Sequence, residues 1–104
     1  MNLADKIRLA RGHEPVDLLL RNANLINVFS GSIHEAHIAV HEGLVIGFGD
    51  YTAKTSVDLK GRYVAPGLID GHVHIESSML DIPEFARKVL PLGTLAVVTD
   101  PHEI

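Results

Sequence analysis

Apolar and polar residues follow two different periods along this chain, and each change of period marks a new element. Over residues 3–11 (LADKIRLAR), Leu3, Ile7 and Ala10 recur at helical spacing, and Gly12 follows as a stop signal. The spacing predicts a short amphipathic helix. From Val16 the period shortens. VDLLLRNANLINVFSG holds two short apolar runs, interrupted at Arg21-Asn22-Ala23-Asn24 and ended by Ser30-Gly31. HIAVHEGLVIGFGD predicts a hairpin that turns at His41-Glu42-Gly43. Short extended pieces at residues 55–59 and 62–64 surround a turn at Lys60-Gly61. Strands so closely spaced predict a small β-sandwich or open barrel.

At Pro66-Gly67 the pattern shifts again. LIDGHVHI reads as a strand. IPEFARKVLP then places Ile82, Phe85, Ala86, Val89 and Leu90 on one helical face, with Asp81 as a cap and Pro83 in the first turn. Pro91 and Gly93 close that helix. TLAVVTD follows, a β-branched and nearly continuous apolar run that reads as a strand buried on both faces of a parallel sheet. Strand, helix and strand joined by short loops make a βαβ unit. The expected fold class is therefore α/β. It divides into an N-terminal helix (1–14), a small β-sandwich domain (15–66) and the opening βαβ of an α/β domain (67–104). One βαβ unit cannot bury its own faces. The chain is expected to be the front part of a longer protein, with LAVV exposed unless other strands cover it, so self-association into a homo-oligomer is a further expectation.

Composition narrows the function classes. The chain has 104 residues and 46% apolar content, which suits a globular domain. No apolar run approaches the roughly 18 residues of a membrane span, and the opening residues lack the apolar core of a secretory signal. There is no cysteine, so neither a disulfide framework nor a thiolate metal site is available. A cytoplasmic, reducing setting is expected. A net charge of −4 leaves no basic stripe for nucleic acid or an anionic membrane. Seven histidines are many for this length.

Two of them sit in the stretch APGLIDGHVHIESS. On a strand, side chains alternate with period two. Asp70, His72, His74 and Glu76 are therefore expected to share one face, with Ile69, Gly71, Val73 and Ile75 on the other. The imidazoles would lie roughly 7 Å apart along the strand and could reach one ion from the same side. Imidazole and carboxylate ligands suit Zn, Fe or Mn, and an ion with an open position supplies hydroxide near neutral pH. The bland alternative is a pair of partly exposed strand residues without a ligand. A second cluster, Asp100-Pro101-His102-Glu103, follows the run LAVVT. It reads either as a turn with a capping Asp or as a companion group at the same end of a parallel strand pair. His13, His34, His37 and His41 read as surface or hairpin residues, because no third ligand is ordered near them.

PGLIDGHVH resembles the opening barrel-strand signature of the amidohydrolase superfamily. The longer blocks HIESSML, PEFARKVLPLGT and VVTDPHEI are similar to the adenine deaminase family within it, and the resemblance runs upstream through DLLLRNANLINVFSGSIHEAHIAVHEG. Leu95 departs from the small polar residue expected there. The resemblance implies a (β/α)₈ barrel of TIM type, with a composite β-sandwich built from both ends of the parent chain. It implies hydrolysis of adenine, a small-molecule purine, to hypoxanthine and ammonia. The cofactor it implies is a divalent metal, Mn²⁺ or Fe²⁺, with Zn²⁺ also compatible. His72 and His74 are then metal ligands, Asp70 and Glu76 line the catalytic site, and His102 and Glu103 lie beside it, touching an additional ion. Ligands from later strands and the acidic proton shuttle would lie beyond residue 104. Two other readings stand beside this one. One is a dihydroorotase- or hydantoinase-like opener of cyclic amides. The other is a truncated, catalytically inactive product.

Overall fold

The computed structural model describes residues 1–100. Two compact units make up the chain, Met1–Ala65 and Pro66–Ile104.

In the first unit, Leu3–Ala10 forms helix α1. Its Asn2 cap accepts a hydrogen bond from the Asp5 amide at 2.9 Å, satisfying one of the amides that the first turn leaves open. The helix ends at Arg11, and Gly12 follows at φ 73°. Five strands come next: β1 (Val16–Asn27), β2 (Ser32–His41), β3 (Leu44–Phe48), β4 (Ala53–Asp58) and β5 (Tyr63–Val64). They make one sheet in the order β3-β2-β1-β4, with β5 also on β1. β1 is antiparallel to β2 and parallel to both β4 and β5.

The two apolar runs expected after Val16 are a single strand. Its register against β2 steps between Leu20 and Ala23, where Asn22 takes a left-handed φ of 57°. A bulge of this kind lets one strand carry a polar interruption without leaving the sheet. The displaced Asn22 amide donates to His37 Nδ1 at 3.0 Å, and its side-chain amide donates to Asp58 Oδ1 at 2.9 Å. Asp58 also accepts from the Lys60 amide, and Asn22 first, then Lys60, hold its carboxyl below the usual range.

The hairpin expected at His41-Glu42-Gly43 is present between β2 and β3. Glu42 and Gly43 have φ values of 48° and 74°, the positive values that a two-residue I′ turn requires. The Glu42 amide donates to Asp17 Oδ2 at 2.9 Å, and Lys54 Nζ donates to Asp17 Oδ1 at 3.0 Å. That amide first, and the ammonium second, lower the Asp17 pKa. Beneath the sheet, Leu9 of α1 packs with Val16, Leu19 and Ala39, while Ala23, Leu25 and Ile38 form a second buried cluster. Tyr51 Oη donates to the Ala10 carbonyl at 2.8 Å and ties the end of α1 down.

The second unit runs β6 (Leu68–Val73), a 3₁₀ turn (Ile75–Ser78), α2 (Ile82–Val89), a second 3₁₀ turn (Leu90–Leu92) and β7 (Thr94–Thr99). β6 and β7 are parallel, with α2 between them in sequence. Asp81 caps α2 by accepting from the Glu84 amide at 2.9 Å. Gly93 turns the chain into β7 at φ 102°. Gly67 leads into β6 at a close approach, where an added Cβ would stand 3.1 Å from Leu95 Cβ.

Two expectations change here. The strand read from LIDGHVHI stops at Val73, because its pairing with β7 ends at Val73 opposite Thr99. And β7 is not buried on both faces: Leu95 is 64% and Val98 59% exposed, with Ile69 of β6 at 71%. In this unit each strand has one neighbour among the described residues, so apolar side chains that suit a parallel interior face solvent.

Candidate metal centre

β6 supplies Asp70 and His72, and His74 is the first residue past its end. The two imidazoles turn toward each other. Their Nε2 atoms are 3.0 Å apart, and the rings meet edge to face at a centroid distance of 5.0 Å and an angle of 65°. His72 is exposed and His74 half-buried.

Glu76 is not on the strand face expected of it. It lies in the 3₁₀ turn Ile75–Ser78, which opens at His74 and ends at Met79 in the left-handed region. The turn folds the chain back, so that Glu76 Oε1 lies 3.2 Å from His74 Nδ1. Glu76 Oε2 is buried with no hydrogen-bond partner among the described residues. Ser78 Oγ donates to the Ile75 carbonyl at 2.5 Å, and Ile75 is buried at 8% exposure. The 3₁₀ turn thus has a buried anchor. The paired serines at 77 and 78 are the signal that could have marked it, since hydroxyls compete for local backbone groups.

Asp70 is engaged elsewhere. Its Oδ1 accepts from the His72 amide at 3.1 Å, where the β6–β7 register steps between Asp70 and Val73. Asp100 follows the last residue of β7. His102 and Glu103 lie outside the described residues. Of the remaining histidines, His34 contacts the Asn27 side chain at 3.1 Å, His37 accepts from the bulged amide of Asn22, and His41 lies 3.4 Å from Asp17.

Does this donor set fit a divalent ion? Two bare imidazole nitrogens repel at 3.0 Å, so one of them carries a hydrogen, or a cation takes its place. Metal–nitrogen bonds of about 2.05 Å at a tetrahedral angle put two ligand nitrogens about 3.35 Å apart. The observed separation is a few tenths of an ångström short of that, and small ring rotations supply the difference. The orphaned Glu76 oxygen marks a place built for polar company. The fit is partial. No group of three or more His, Cys, Asp or Glu suited to an ion exists among the described residues, whereas catalytic zinc-type sites typically take three protein ligands.

The amidohydrolase family model matches residues 63–104. The chain is 56% identical over 105 aligned residues to an adenine deaminase of Kosmotoga olearia, which covers all of this chain and 18% of that relative. It therefore spans less than a fifth of the length of such curated relatives. Among solved structures it is similar to an N-acyl-D-glutamate deacylase from Bordetella bronchiseptica complexed with zinc and a phosphonate inhibitor. That likeness has a TM-score of 0.67 and 26% identity, over 83% of this chain and 19% of the other. It is also similar to an L-hydantoinase (dihydropyrimidinase) from Arthrobacter aurescens, with a TM-score of 0.51 and 36% identity over 58% of this chain and 14% of the other. Among the described residues, no helix is long and apolar enough to cross a membrane.

Proposed function

We propose, on the premise that the chain belongs to the amidohydrolase family, that it is the part of a metal-dependent adenine deaminase that carries the His-x-His ligand pair. The observation that carries this reading is the convergence of His72 and His74 through Nε2 at 3.0 Å. The reaction adds the oxygen of water to the purine carbon that bears the amine and releases that amine as ammonia, leaving hypoxanthine. His72 and His74 would hold the ion, Mn²⁺ or Fe²⁺, with Zn²⁺ compatible with the same nitrogens. When bound, such an ion lowers the pKa of a water and supplies hydroxide near neutral pH.

The chain's own residues do the positioning. β6 places His72, the strand end places His74, and the Asp70 carboxylate holds the intervening backbone by accepting from the His72 amide. Asp70 and Glu76 would line the site, and His102 and Glu103, which lie outside the described residues, would contribute to it by the family resemblance. In this reading β6, α2 and β7 open a (β/α)₈ barrel, whose active sites form at the C-terminal ends of its strands. The first unit is one contribution to a composite β-sandwich. The exposed Ile69, Leu95 and Val98 suit an interior completed by further strands of a longer parent. The 104 residues alone hold two imidazole ligands and are expected to be inactive. A cytoplasmic setting and a purine substrate belong to this proposal.

A second reading, ring opening of a cyclic amide, draws on the 36% identity to the L-hydantoinase. An assay of the full-length parent, loaded with Mn²⁺ or Fe²⁺ and offered adenine, adenosine and a hydantoin, separates the two. Ammonia from adenine supports deamination; turnover of the hydantoin alone overturns it. His72→Ala in the same parent is expected to abolish tight Mn²⁺ binding, and unchanged affinity in calorimetry would place the ligands elsewhere.

A further inference from the structure

We propose that Phe29 is the anchor by which the first unit docks on the polypeptide that follows residue 104, seated there in an apolar pocket. The proposal rests on the reading of the chain as the front of a longer amidohydrolase and adds a contact within that parent.

Phe29 stands in the turn between β1 and β2 and is 100% exposed, with Val28 and Ile33 exposed close to it in sequence. The turn itself is held. Asn27 Oδ1 accepts from the Phe29 amide at 3.1 Å and from the Ser30 amide at 3.3 Å. The Gly31 amide donates to the Asn27 carbonyl at 2.9 Å, with Gly31 at φ 71°. The Ser30 and Ser32 hydroxyls bond each other at 2.7 Å. The backbone that carries Phe29 is thus fixed while its ring is left in water. A preformed turn loses little freedom on docking. Charge does not oppose burial either, since residues 22–34 contain no Asp, Glu, Lys or Arg. Interface cores are depleted in charged residues and enriched in aromatic ones.

The size of the patch and the path of the chain point to the occupant. Three side chains of about 200 Å² or less each fall short of the roughly 800 Å² per partner that a stable dimer needs. Within one polypeptide the association cost is already met, so a small contact suffices. The chain covers 18% of its Kosmotoga olearia relative, so on this reading most of the parent lies past residue 104. β5 runs parallel to β1, with Tyr63 opposite Asn24 and Val64 opposite Leu25, and the first unit ends at Ala65. The polypeptide therefore leaves this unit alongside the last residues of β1, at the end of the sheet that carries Phe29.

The test uses the full-length parent. Hydroxyl-radical footprinting of the wild type, read by mass spectrometry, compares oxidation of Phe29 with that of free phenylalanine. If oxidation follows exposed area, a side chain about 90% buried reacts roughly tenfold more slowly, and that slowing is expected. Phe29→p-benzoylphenylalanine is then irradiated in the same parent. The cross-link is expected to reach a residue past 104 of the same chain, leaving the denatured mass at that of one chain. Phe29 oxidised at the free rate overturns the proposal, even if the variant fails to fold. A cross-link that doubles the denatured mass overturns it in favour of a second copy, and one confined to residues 1–104 overturns it as well. Protection without any cross-link in a folded variant also counts against it, because a pocket would surround the ketone with C–H bonds. None of these readouts uses turnover of adenine, so failure of the deaminase reading is scored separately.

Discussion

Ile75 offers a direct measure of how firmly the turn behind the two histidines is held. Its side chain is 8% exposed, the one buried apolar residue of the second unit among the described residues. It lies between His74 and Glu76 in sequence and opens the 3₁₀ turn. Ile75→Ala removes three side-chain carbons, and at about 0.8 kcal/mol for each buried CH₂ the lost transfer free energy is about 2.4 kcal/mol. Any cavity left unfilled adds to this. Two amides report on the turn, because Ser77 N–H donates to the His74 carbonyl at 3.2 Å and Met79 N–H to the Glu76 carbonyl at 3.1 Å. If they exchange by opening of this turn, a loss of about 2.4 kcal/mol speeds their hydrogen exchange roughly 60-fold. Ile75→Val removes one carbon, and about 0.8 kcal/mol corresponds to roughly fourfold. The assay is native-state hydrogen exchange on the full-length parent, read at these two amides for the wild type and both variants. If alanine and valine give the same small acceleration, burial of Ile75 does not hold the turn, and the account of how Glu76 reaches His74 fails with it.

Gly67→Ala should destabilise the entry to β6 by about 1–3 kcal/mol, because its Cβ would meet the Leu95 side chain. A thermal melt of Gly67→Ala, alone and with Leu95→Ala, checks this, and the double variant should recover part of the loss. Asp17 has a lowered folded-state pKa, so the stability it lends is present above its unfolded value of about 3.9 and is lost as pH falls through the folded one. Protection of the Glu42 amide, which donates to Asp17, should fall in that acid window. Asp17→Asn should remove the step, and wild-type protection that stays flat as the pH falls below the unfolded value would contradict it.

The sequence showed some elements plainly because single residues dictate them. Glu42-Gly43 can form a tight turn with two positive φ angles, and Asp81 with Pro83 can start a helix, whatever else the chain does. The α/β character was equally plain from the change of period at Pro66. Other features depended on partners that periodicity does not show. Arg21 and Asn22 looked like a break between strands, but they form a bulge, because His37 and Asp58 are there to receive the displaced groups. The alternation from Asp70 through Glu76 looked like one continuous strand face. It ends at Val73 because β7 offers no partner past Thr99. The pairing of His72 with His74 was expected, but the return of Glu76 onto the far side of the His74 ring was not, since it comes from the turn and not from the strand.

β1 is an interior strand that is made before the neighbours on both of its edges. β2 can fold back on it almost at once, but its other edge waits for β4, which begins at Ala53. At about 5–20 residues per second, synthesis takes on the order of 1–5 s to cover the distance from Asn27 to Ala53. For that interval one side of a nascent hairpin offers open amides and carbonyls to any neighbouring polypeptide, so translation speed and early chaperone capture bear on the yield of this protein.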